Sequence, residues 1–387
     1  MRRRISIFLL TLLWCFSFIS CNTTDNDFSE TNSDDEIIVE ASIYKPEAIT
    51  PTKTVVSRAA KLTNSNLTTF GMYGFYNTVI KVNNTSYTKN GTLWKSSRPT
   101  TWSAGAMDFY AISPSFNIST SPLTQSMTYP SLSISYTIPT NTAEQFDILY
   151  SSILNLKKTD NSSKIIFSFK PGMHYFGFTA QNTIGTDYQV FAKKIIIHNM
   201  IQNGTFQFGS TANTGNWTAA SGGNATFGND VMEFANPIEI TSTRVNLTGN
   251  EYFIVMPQTI SKWNTTDSTP IPISTADENK NWYIEIVGQI IKNNSDGTKT
   301  YLLGNKDDSD PNNPQYQSVY FPQVAKACKI GIGTTWNIVF NGGYNQNGET
   351  YLDHLDNGGD VIVKVAEWFP SSIDVEEWTP YSENIEF

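Results

Sequence analysis

The amino-acid sequence predicts an all-β protein made of antiparallel β-sandwiches, and three observations support this fold class. Trp, Tyr, Phe, Thr, Ile and Val, which favour strands, are plentiful, whereas strong helix formers are sparse. Short apolar runs alternate with segments rich in Asn, Thr, Ser and Gly, as in strands joined by turns. The close spacing of these runs favours antiparallel sandwiches over parallel α/β units. The one helical piece that we expect is short and lies around Thr142–Glu144.

The first half of the chain begins with a predicted strand at Ile37–Tyr44, which precedes an irregular connection containing two prolines. Asn90-Gly91 predicts a hairpin, because this dipeptide readily takes the positive φ angles of a tight type I′ turn. Residues 114–146 are rich in Ser, Thr and Pro, so we predict a long surface loop with one or two strands. Further strands are predicted at Phe70–Tyr76, Met107–Ile112 and Asp147–Tyr150.

Stronger strand signals begin after residue 162, and we predict a domain boundary there. A chain of 387 residues suits two domains of ordinary size. The prediction is therefore an N-terminal β-sandwich domain over residues 37–162 and a C-terminal one over residues 163–387. The second domain is predicted to contain strands at Lys164–Phe169, Lys194–His198, Thr205–Phe208, Tyr252–Met256, Trp282–Ile291, Trp336–Phe340 and Val361–Trp368.

The first twenty-one residues have the features of a bacterial lipoprotein signal. Arginines 2–4 precede a mostly apolar run, Ile5–Ile19, which is shorter than the roughly 20 apolar residues that span a bilayer. Phe18-Ile19-Ser20-Cys21 ends this run like a lipobox, with Phe18 where Leu is usual. An Ala-x-Ala cleavage site is lacking, because the first alanine of the chain is Ala41. We therefore predict cleavage before Cys21 and lipidation of its sulfur.

The predicted lipid anchor would attach an acidic, water-soluble body to a membrane. Removal of residues 1–20 leaves a diacylglycerol and an acyl chain on Cys21, and several chains together make a stable anchor. Residues 21–36 are polar and acidic, so we predict a solvated tether. Loss of the three arginines moves the formal charge from -9 to about -12, which argues against a nucleic-acid partner. Only Cys328 would remain as a free thiol, so no internal disulfide is predicted.

Seven segments spread over most of the chain form an ordered series. They are Ser57-Arg58-Ala59, Phe70–Phe75, Trp102 with Met107–Pro114, Phe169–His174, Tyr252–Gln258, Trp336–Gly343 and Val375–Trp378. In this order and spacing they resemble the fimbrillin family of the Bacteroidales, whose members are lipoprotein precursors of type V pilus subunits. Phe169–His174 departs from the family's Phe-x-His pattern by its extra residues.

The resemblance implies two transthyretin-like antiparallel β-sandwich domains in tandem. It also implies export to the outer-membrane surface, followed by a cut between Arg58 and Ala59 by an extracellular trypsin-like protease. Such a cut would remove the first strand, Ile37–Tyr44, and open a groove. The last strand, near Trp378–Phe387, would be the donor that fills the groove of a neighbouring subunit. The alternative for Arg58 is an ordinary solvated arginine in a polar connection.

Residue patterns of enzymes and metal sites are weak. The sequence has no Gly-x-Ser-x-Gly, P-loop, His-Glu-x-x-His or Cys-x-x-Cys motif, and His174, His198 and His354 are far apart. Acidic turns at residues 307–310 and 353–360 could hold calcium, but residues 307–310 lack the central glycine and distal glutamate of a calcium loop, and we discount both turns. We therefore predict no enzymatic activity, no catalytic residue, no cofactor and no metal.

Two interpretations of the function follow. The first is a structural subunit, anchor or tip adhesin of a cell-surface fimbria, assembled with other fimbrial subunits by proteolysis-triggered β-strand exchange. Its further partners would be the outer membrane, through Cys21, and a ligand on a host or bacterial surface. The alternative is an outer-membrane surface lipoprotein that binds glycans, since eight tryptophans follow the signal and exposed aromatic faces could stack on sugars. The sequence favours the first interpretation.

Overall fold

The computed structural model describes most of the chain beyond the N-terminal region. It covers residues 36–43, 67–91, 93–115, 123–129, 131–160, 164–249, 252–260, 282–309, 314–322, 326–340 and 374–378. In these stretches the chain forms strands and turns, with two single-turn 3-10 helices at Thr142–Glu144 and Gly222–Asn224. The prediction of an all-β protein is confirmed, including the short helical piece at Thr142–Glu144.

The strands are numbered in chain order. Up to residue 171 they are β1 (Ile38–Ile43), β2 (Thr69–Tyr76), β3 (Val79–Asn90), β4 (Leu93–Ser96), β5 (Met107–Ser113), β6 (Leu123–Thr128), β7 (Ser131–Thr137), β8 (Leu149–Leu156) and β9 (Lys164–Pro171). Beyond residue 171 they are β10 (His174–Asn182), β11 (Tyr188–Ile201), β12 (Asn203–Phe208), β13 (Gly215–Ala219), β14 (Phe227–Ile240), β15 (Val245–Asn246), β16 (Phe253–Val255), β17 (Thr259–Ile260), β18 (Tyr283–Asn293), β19 (Lys299–Leu303), β20 (Gln317–Pro322), β21 (Lys326–Ala327), β22 (Gly333–Phe340) and β23 (Asp374–Trp378).

Most strand predictions are confirmed within a few residues, including the first strand and the one that begins at Lys164. The predicted hairpin after Tyr87 joins β3 to β4, and Gly91 takes the positive φ of 63° that a tight turn needs. Asn90 itself belongs to β3. The predicted loop at 114–146 contains the β6–β7 hairpin. The strand predicted at Val361–Trp368 lies outside the described residues.

A seven-stranded sheet, in the order β1-β9-β8-β5-β2-β3-β4, curls over on itself. Phe70 on β2 lies 5.8 Å from Phe167 and 5.3 Å from Phe169, measured between ring centroids, although three strand spacings separate β2 from β9 within the sheet. β1 at one edge also comes close to β4 at the other. The concave face therefore encloses a core of its own, which is rich in aromatic side chains.

A second layer packs on the outer face of this curled sheet. It is a four-stranded sheet in the order β13-β12-β7-β6. Phe206 on β12 lies 4.7 Å from the ring of Tyr150 on β8, and Phe208 lies 5.0 Å from that of Tyr110 on β5. The tip of the β12–β13 hairpin is held by Asn213, whose side-chain oxygen accepts hydrogen bonds from Ser151 and Ser152.

The remaining large sheets form a sandwich with a separate core. One sheet runs β15-β10-β22-β23, with β16 also paired to β10, and the other runs β14-β11-β18-β19, with β20 also paired to β18. Trp282, Trp336 and Phe176 meet between them, with the two indole rings 5.2 Å apart. These two facing sheets are the clearest example of the predicted sandwiches. β17 and β21 form a separate two-stranded antiparallel sheet.

Two strand pairings are parallel, where the sequence predicted antiparallel sheets. β1 runs parallel to β9, and β10 runs parallel to β22. Each pair joins segments more than 100 residues apart, so no tight turn forces the antiparallel arrangement. The division at residue 162 stays a prediction. β9 shares a sheet with β1 and β8, and the four-stranded sheet combines β6 and β7 with β12 and β13.

A buried polar junction ties the segment after β7 to the sandwich formed by the sheets of β10 and β11. One carboxyl oxygen of Asp230 on β14 accepts hydrogen bonds from the side-chain amides of Gln145, at 2.8 Å, and Gln202, at 3.4 Å. Gln145 in turn accepts a hydrogen bond from the backbone N–H of Ile254 on β16. Burial raises the pKa of Asp230 to about 8, although the two glutamine hydrogen bonds oppose this rise. We call these residues the Asp230 junction.

Candidate functional site

β1 alternates between a buried and an exposed face, as an edge strand over a core should. Ile37 and Val39 are buried, with 4% and 3% of their surface exposed, and both contact the core of the curled sheet. Ile38, Glu40 and Ser42 face solvent, and Ile38 is 43% exposed. Burying two such aliphatic side chains stabilises the docked strand by about 1.5–3 kcal/mol each.

β9 depends on β1 for most of its ladder. The two strands are paired at six successive positions, from Ile38 opposite Lys164 to Ile43 opposite Phe169. On its other side, and within the described residues, β9 pairs with β8 at only two positions, near Pro171. Removal of β1 would therefore leave the backbone N–H and C=O groups on one edge of β9 without their ladder partners.

Apolar side chains form the floor beneath β1. Ile165, Phe167 and Phe169 of β9 are fully buried, and Ala41 packs against the same cluster. The ring of Phe70 stands opposite them and is stacked on Tyr87 at 5.2 Å. Without β1, this floor would border an open slot along the edge of β9. We call the β9 edge and its floor the β1 groove.

Polar contacts fix the start and the exposed face of β1. The backbone N–H of Ile37 donates to the carbonyl of Thr100 at 3.0 Å, and the preceding residue, Glu36, bridges to Thr101. Outside the groove the Lys164 ammonium lies 2.8 Å from the Glu40 carboxylate. Both charged side chains are about half exposed, 45% and 48%, so this ion pair contributes under about 1 kcal/mol.

Behind the groove, the Tyr87 hydroxyl and the Thr100 side chain are hydrogen-bonded at 2.8 Å. Burial raises the pKa of Tyr87 to about 12. The phenol is therefore neutral at physiological pH and belongs to the permanent wall of the groove.

The predicted modification sites lie outside the described residues. Cys21 precedes β1, and Arg58 and Ala59 fall between β1 and β2. The predictions of lipidation at Cys21 and of processing at Arg58-Ala59 stay predictions. The order along the chain is nevertheless informative, since a cut after Arg58 would separate β1 covalently from every later strand.

Among the described strands, the last one, β23, also lies at a sheet edge. β23 pairs antiparallel with β22 at five positions, from Trp378 opposite Gly333 to Asp374 opposite Asn337. Residues 379–387, which include most of the predicted donor strand, lie outside the described residues. The sequence did not reveal that β1 and β23 sit at the edges of different sheets, because periodicity identifies faces and not partners.

The two described histidines are engaged in structural contacts. His174 is buried and its ring nitrogens contact the backbone of Lys329 at 3.0 Å and the Thr334 hydroxyl at 3.1 Å. His198 contacts the Glu285 carboxylate at 2.6 Å. Burial acts to raise the pKa of Glu285, but hydrogen bonds from His198 and Ser318 outweigh it and lower the pKa. His354 lies outside the described residues.

In the described part of the chain, the acidic turns and the tryptophans are not arranged as a metal site or a sugar-binding platform would be. There, no three His, Cys, Asp or Glu side chains are grouped as metal ligands would be. Asp307 and Asp308 accept hydrogen bonds from nearby backbone N–H groups, while residues 353–360 are not described. Of the five tryptophans whose side chains are described, four are buried and Trp217 packs on Phe206. The glycan-binding alternative therefore finds no exposed aromatic platform among them. The four buried tryptophans are Trp94, Trp102, Trp282 and Trp336.

None of the described residues form a helix long and apolar enough to cross a bilayer.

Comparison with known protein families identifies a match. A family profile described as fimbrillin-like matches residues 52–352 of the chain. No curated protein matches.

One solved structure shows a similar fold. A fimbrial protein from Bacteroides vulgatus superimposes with a TM-score of 0.56 at 13% identity, over 89% of this chain and 98% of that protein. A candidate cell adhesion protein from Bacteroides ovatus gives 0.43 at 16% identity, over 79% and 92% of the two chains. At these identities the superpositions speak to the fold only, and the first alone exceeds 0.5. Since the family profile covers most of the sequence, the chain belongs to the fimbrillin-like family.

Proposed function

We propose that this protein is a non-enzymatic structural subunit of a cell-surface fimbria that assembles by β-strand exchange. One observation carries the proposal: the first strand of the chain fills an edge groove, and the connection that holds it there contains Arg58-Ala59. Membership of the fimbrillin-like family supports a fimbrial role. The packed histidines described above agree with a structural role.

Assembly would begin with hydrolysis of the peptide bond between Arg58 and Ala59. The cut leaves β1 attached to the groove only by non-covalent contacts: six ladder pairs, two aliphatic side chains and an exposed ion pair. When β1 departs, the β9 edge and its apolar floor are exposed together. A strand from another subunit can satisfy both, because main-chain bonds supply affinity and alternate side chains supply register.

A fibre results from the asymmetry of this contact. Each subunit offers a groove at one place and a donor strand at another, so the contact is heterologous and does not close a dimer. β1 acts as a placeholder that prevents assembly before export. The lipid on Cys21 would hold the precursor on the outer membrane until the same cut releases it. A subunit that stays uncut would serve as an anchor, and one without a donor role would serve as a tip adhesin.

Limited proteolysis of the purified precursor tests this proposal. A protease that cuts only after arginine should remove residues up to Arg58 and convert the monomer into a ladder of polymers on non-boiled gels. The Arg58→Ala variant should keep β1 and stay monomeric, whereas Lys53→Ala, in the same connection, should polymerise like the native chain. Clean removal of β1 without any oligomer would contradict a strand-exchanging subunit.

A further inference from the structure

β3 is much longer than its neighbour β4, so part of one side of β3 has no strand beside it. β4 pairs with the last four residues of β3, and the Ser97 N–H extends this ladder by one bond to the Ser86 carbonyl, at 2.7 Å. The chain then leaves β3 at Pro99, which has no N–H to donate. No described strand pairs with residues 79–85 on this side. We call this stretch the β3 edge.

The β3 edge has the composition of a strand that could pair with another chain. Val79 is 54% exposed and Ile80 is 37% exposed, and they are two of the five large apolar side chains that stay exposed among the described residues. Such β-branched residues favour strands. Unpaired backbone beside exposed apolar side chains is a template for strand addition. A second copy of the chain offers the same edge, and two identical edges can pair antiparallel about a two-fold axis.

The side chain of Arg98 lies across this edge. Its Nε donates a hydrogen bond to the Thr85 hydroxyl at 3.0 Å, and one of its terminal nitrogens donates to the Asn83 carbonyl. Arg98 therefore occupies a backbone acceptor that an added strand would need. Lys81, on the same stretch, is exposed. Two-fold pairing of the β3 edges would also bring these positive charges of the two copies together, which opposes association.

β14, a second long edge strand, is covered at its middle in a similar way. The Val231 N–H donates to the Thr140 carbonyl at 3.0 Å, and the Thr142 hydroxyl donates to the Val231 carbonyl at 3.0 Å. Pro237 further along β14 has no N–H for a ladder. In both edge strands a backbone carbonyl near the middle is therefore bonded to a side chain of the same molecule.

We propose that Arg98 guards the β3 edge, and that without it the β3 edge of a second copy of this chain pairs there, antiparallel and about a two-fold axis. This inference goes beyond the proposed function, because it concerns the uncut chain. A two-fold contact closes a dimer and cannot extend into a fibre. The guard therefore keeps the precursor monomeric at an edge where pairing would be unproductive.

Sedimentation of the uncut full-length chain over a range of concentrations tests this proposal. Arg98→Ala should move the midpoint between monomer and dimer to an about tenfold lower concentration, because neither copy gives up the Arg98 hydrogen bond to Asn83 on pairing. Lys95→Ala is the matched control, since it removes an exposed positive charge from β4 and leaves the β3 edge covered. It should sediment like the native chain.

Two further variants locate the contact on β3. Thr85→Val removes one acceptor of Arg98 with little change of volume, and should shift the midpoint in the same direction by about two- to threefold. Arg98→Ala/Ile80→Lys adds a charge to the uncovered edge and should restore the monomer. In the Arg98→Ala dimer, hydrogen exchange of the amides in residues 79–85 should slow down.

Three results would overturn the guard. The first is equal sedimentation of Arg98→Ala, Thr85→Val and Lys95→Ala. The second is a dimer of Arg98→Ala in which exchange in residues 79–85 is unchanged. The third is a dimer that persists in Arg98→Ala/Ile80→Lys. None of these results bears on polymerisation after cleavage, so the proposed function is tested separately.

Discussion

The β1 groove and the Asp230 junction hold the molecule together in different ways. At the groove, a single edge strand is held by a backbone ladder, two aliphatic side chains and an ion pair exposed to water. At the junction, the buried carboxyl group of Asp230 accepts hydrogen bonds from Gln145 and Gln202, which lie on different segments.

The contrast indicates which contact can be exchanged. Every group that β1 offers, from its backbone to Glu40, can be replaced by another strand of suitable sequence. The junction cannot be opened without leaving polar atoms buried and unpaired, which costs about 1–3 kcal/mol per group. We therefore expect assembly to remodel the groove and to leave the junction intact.

The largest expected effect is a dependence of stability on pH, which distinguishes the Asp230 junction from the β1 groove. The folded Asp230 carboxyl keeps its proton up to about pH 8, whereas the unfolded one loses it near pH 4. The folded state therefore binds more protons between these values, so stability should fall as the pH rises from about 4 to 8, by an amount on the order of 5 kcal/mol. Urea unfolding at pH 5 and pH 8 measures this slope.

Two substitutions on β14 test whether the pH dependence of stability comes from the Asp230 carboxyl. Asp230→Asn should flatten it, since the amide cannot ionise. Glu233→Gln removes an exposed acid whose pKa is lowered by Lys194, so it should leave the slope in place. An unchanged slope in Asp230→Asn would show that the junction does not titrate as described.

A charged substitution on the core face of β1 should empty the groove without proteolysis. Val39→Asp places a carboxylate over the apolar floor and should weaken docking by about 3–5 kcal/mol, as for an unpaired buried charge. Hydrogen exchange of the β9 amides should then speed up. Ile38→Asp, on the exposed face of the same strand, should have little effect. Equal responses from the two variants would contradict the alternation of β1.

Truncation of Gln145 should weaken the junction and spare the groove. Gln145→Ala removes the hydrogen bond to the Ile254 N–H and leaves Asp230 with the one from Gln202 alone, so it should cost about 2 kcal/mol of unfolding free energy. Gln181→Ala, which removes an exposed hydrogen bond to Ser242, is the matched control and should cost much less. Faster exchange of β9 amides in Gln145→Ala would show that the two regions are coupled.

The smallest expected effect lies on the exposed ion pair. Lys164→Gln should weaken the docking of β1 by about 0.5 kcal/mol, since both side chains are about half exposed. The loss should vanish at 1 M salt, where the native pair is screened as well. A loss that persists at high salt would mean that Lys164 contributes through packing and not through charge.

Local features of the fold were predictable, and its long-range partners were not. The run Ile37–Tyr44 predicted a strand, and Gly91 marked a hairpin, because alternation and turn chemistry are local properties. The parallel pairing of β1 with β9 joins positions 126 residues apart, as in Ile38 opposite Lys164, and depends on the shared aromatic core. The burial of Asp230 was not predictable from the sequence, because a carboxylate is rarely buried without a charged partner.

The occupant of the groove in the assembled polymer tests the central claim most directly. Electron cryomicroscopy of polymers formed after cleavage at Arg58 would show which strand lies beside β9. If the subunits exchange strands, β1 is absent and a strand from the adjacent subunit covers Ile165, Phe167 and Phe169. Polymers in which β1 remains beside β9, with the subunits touching elsewhere, would contradict it.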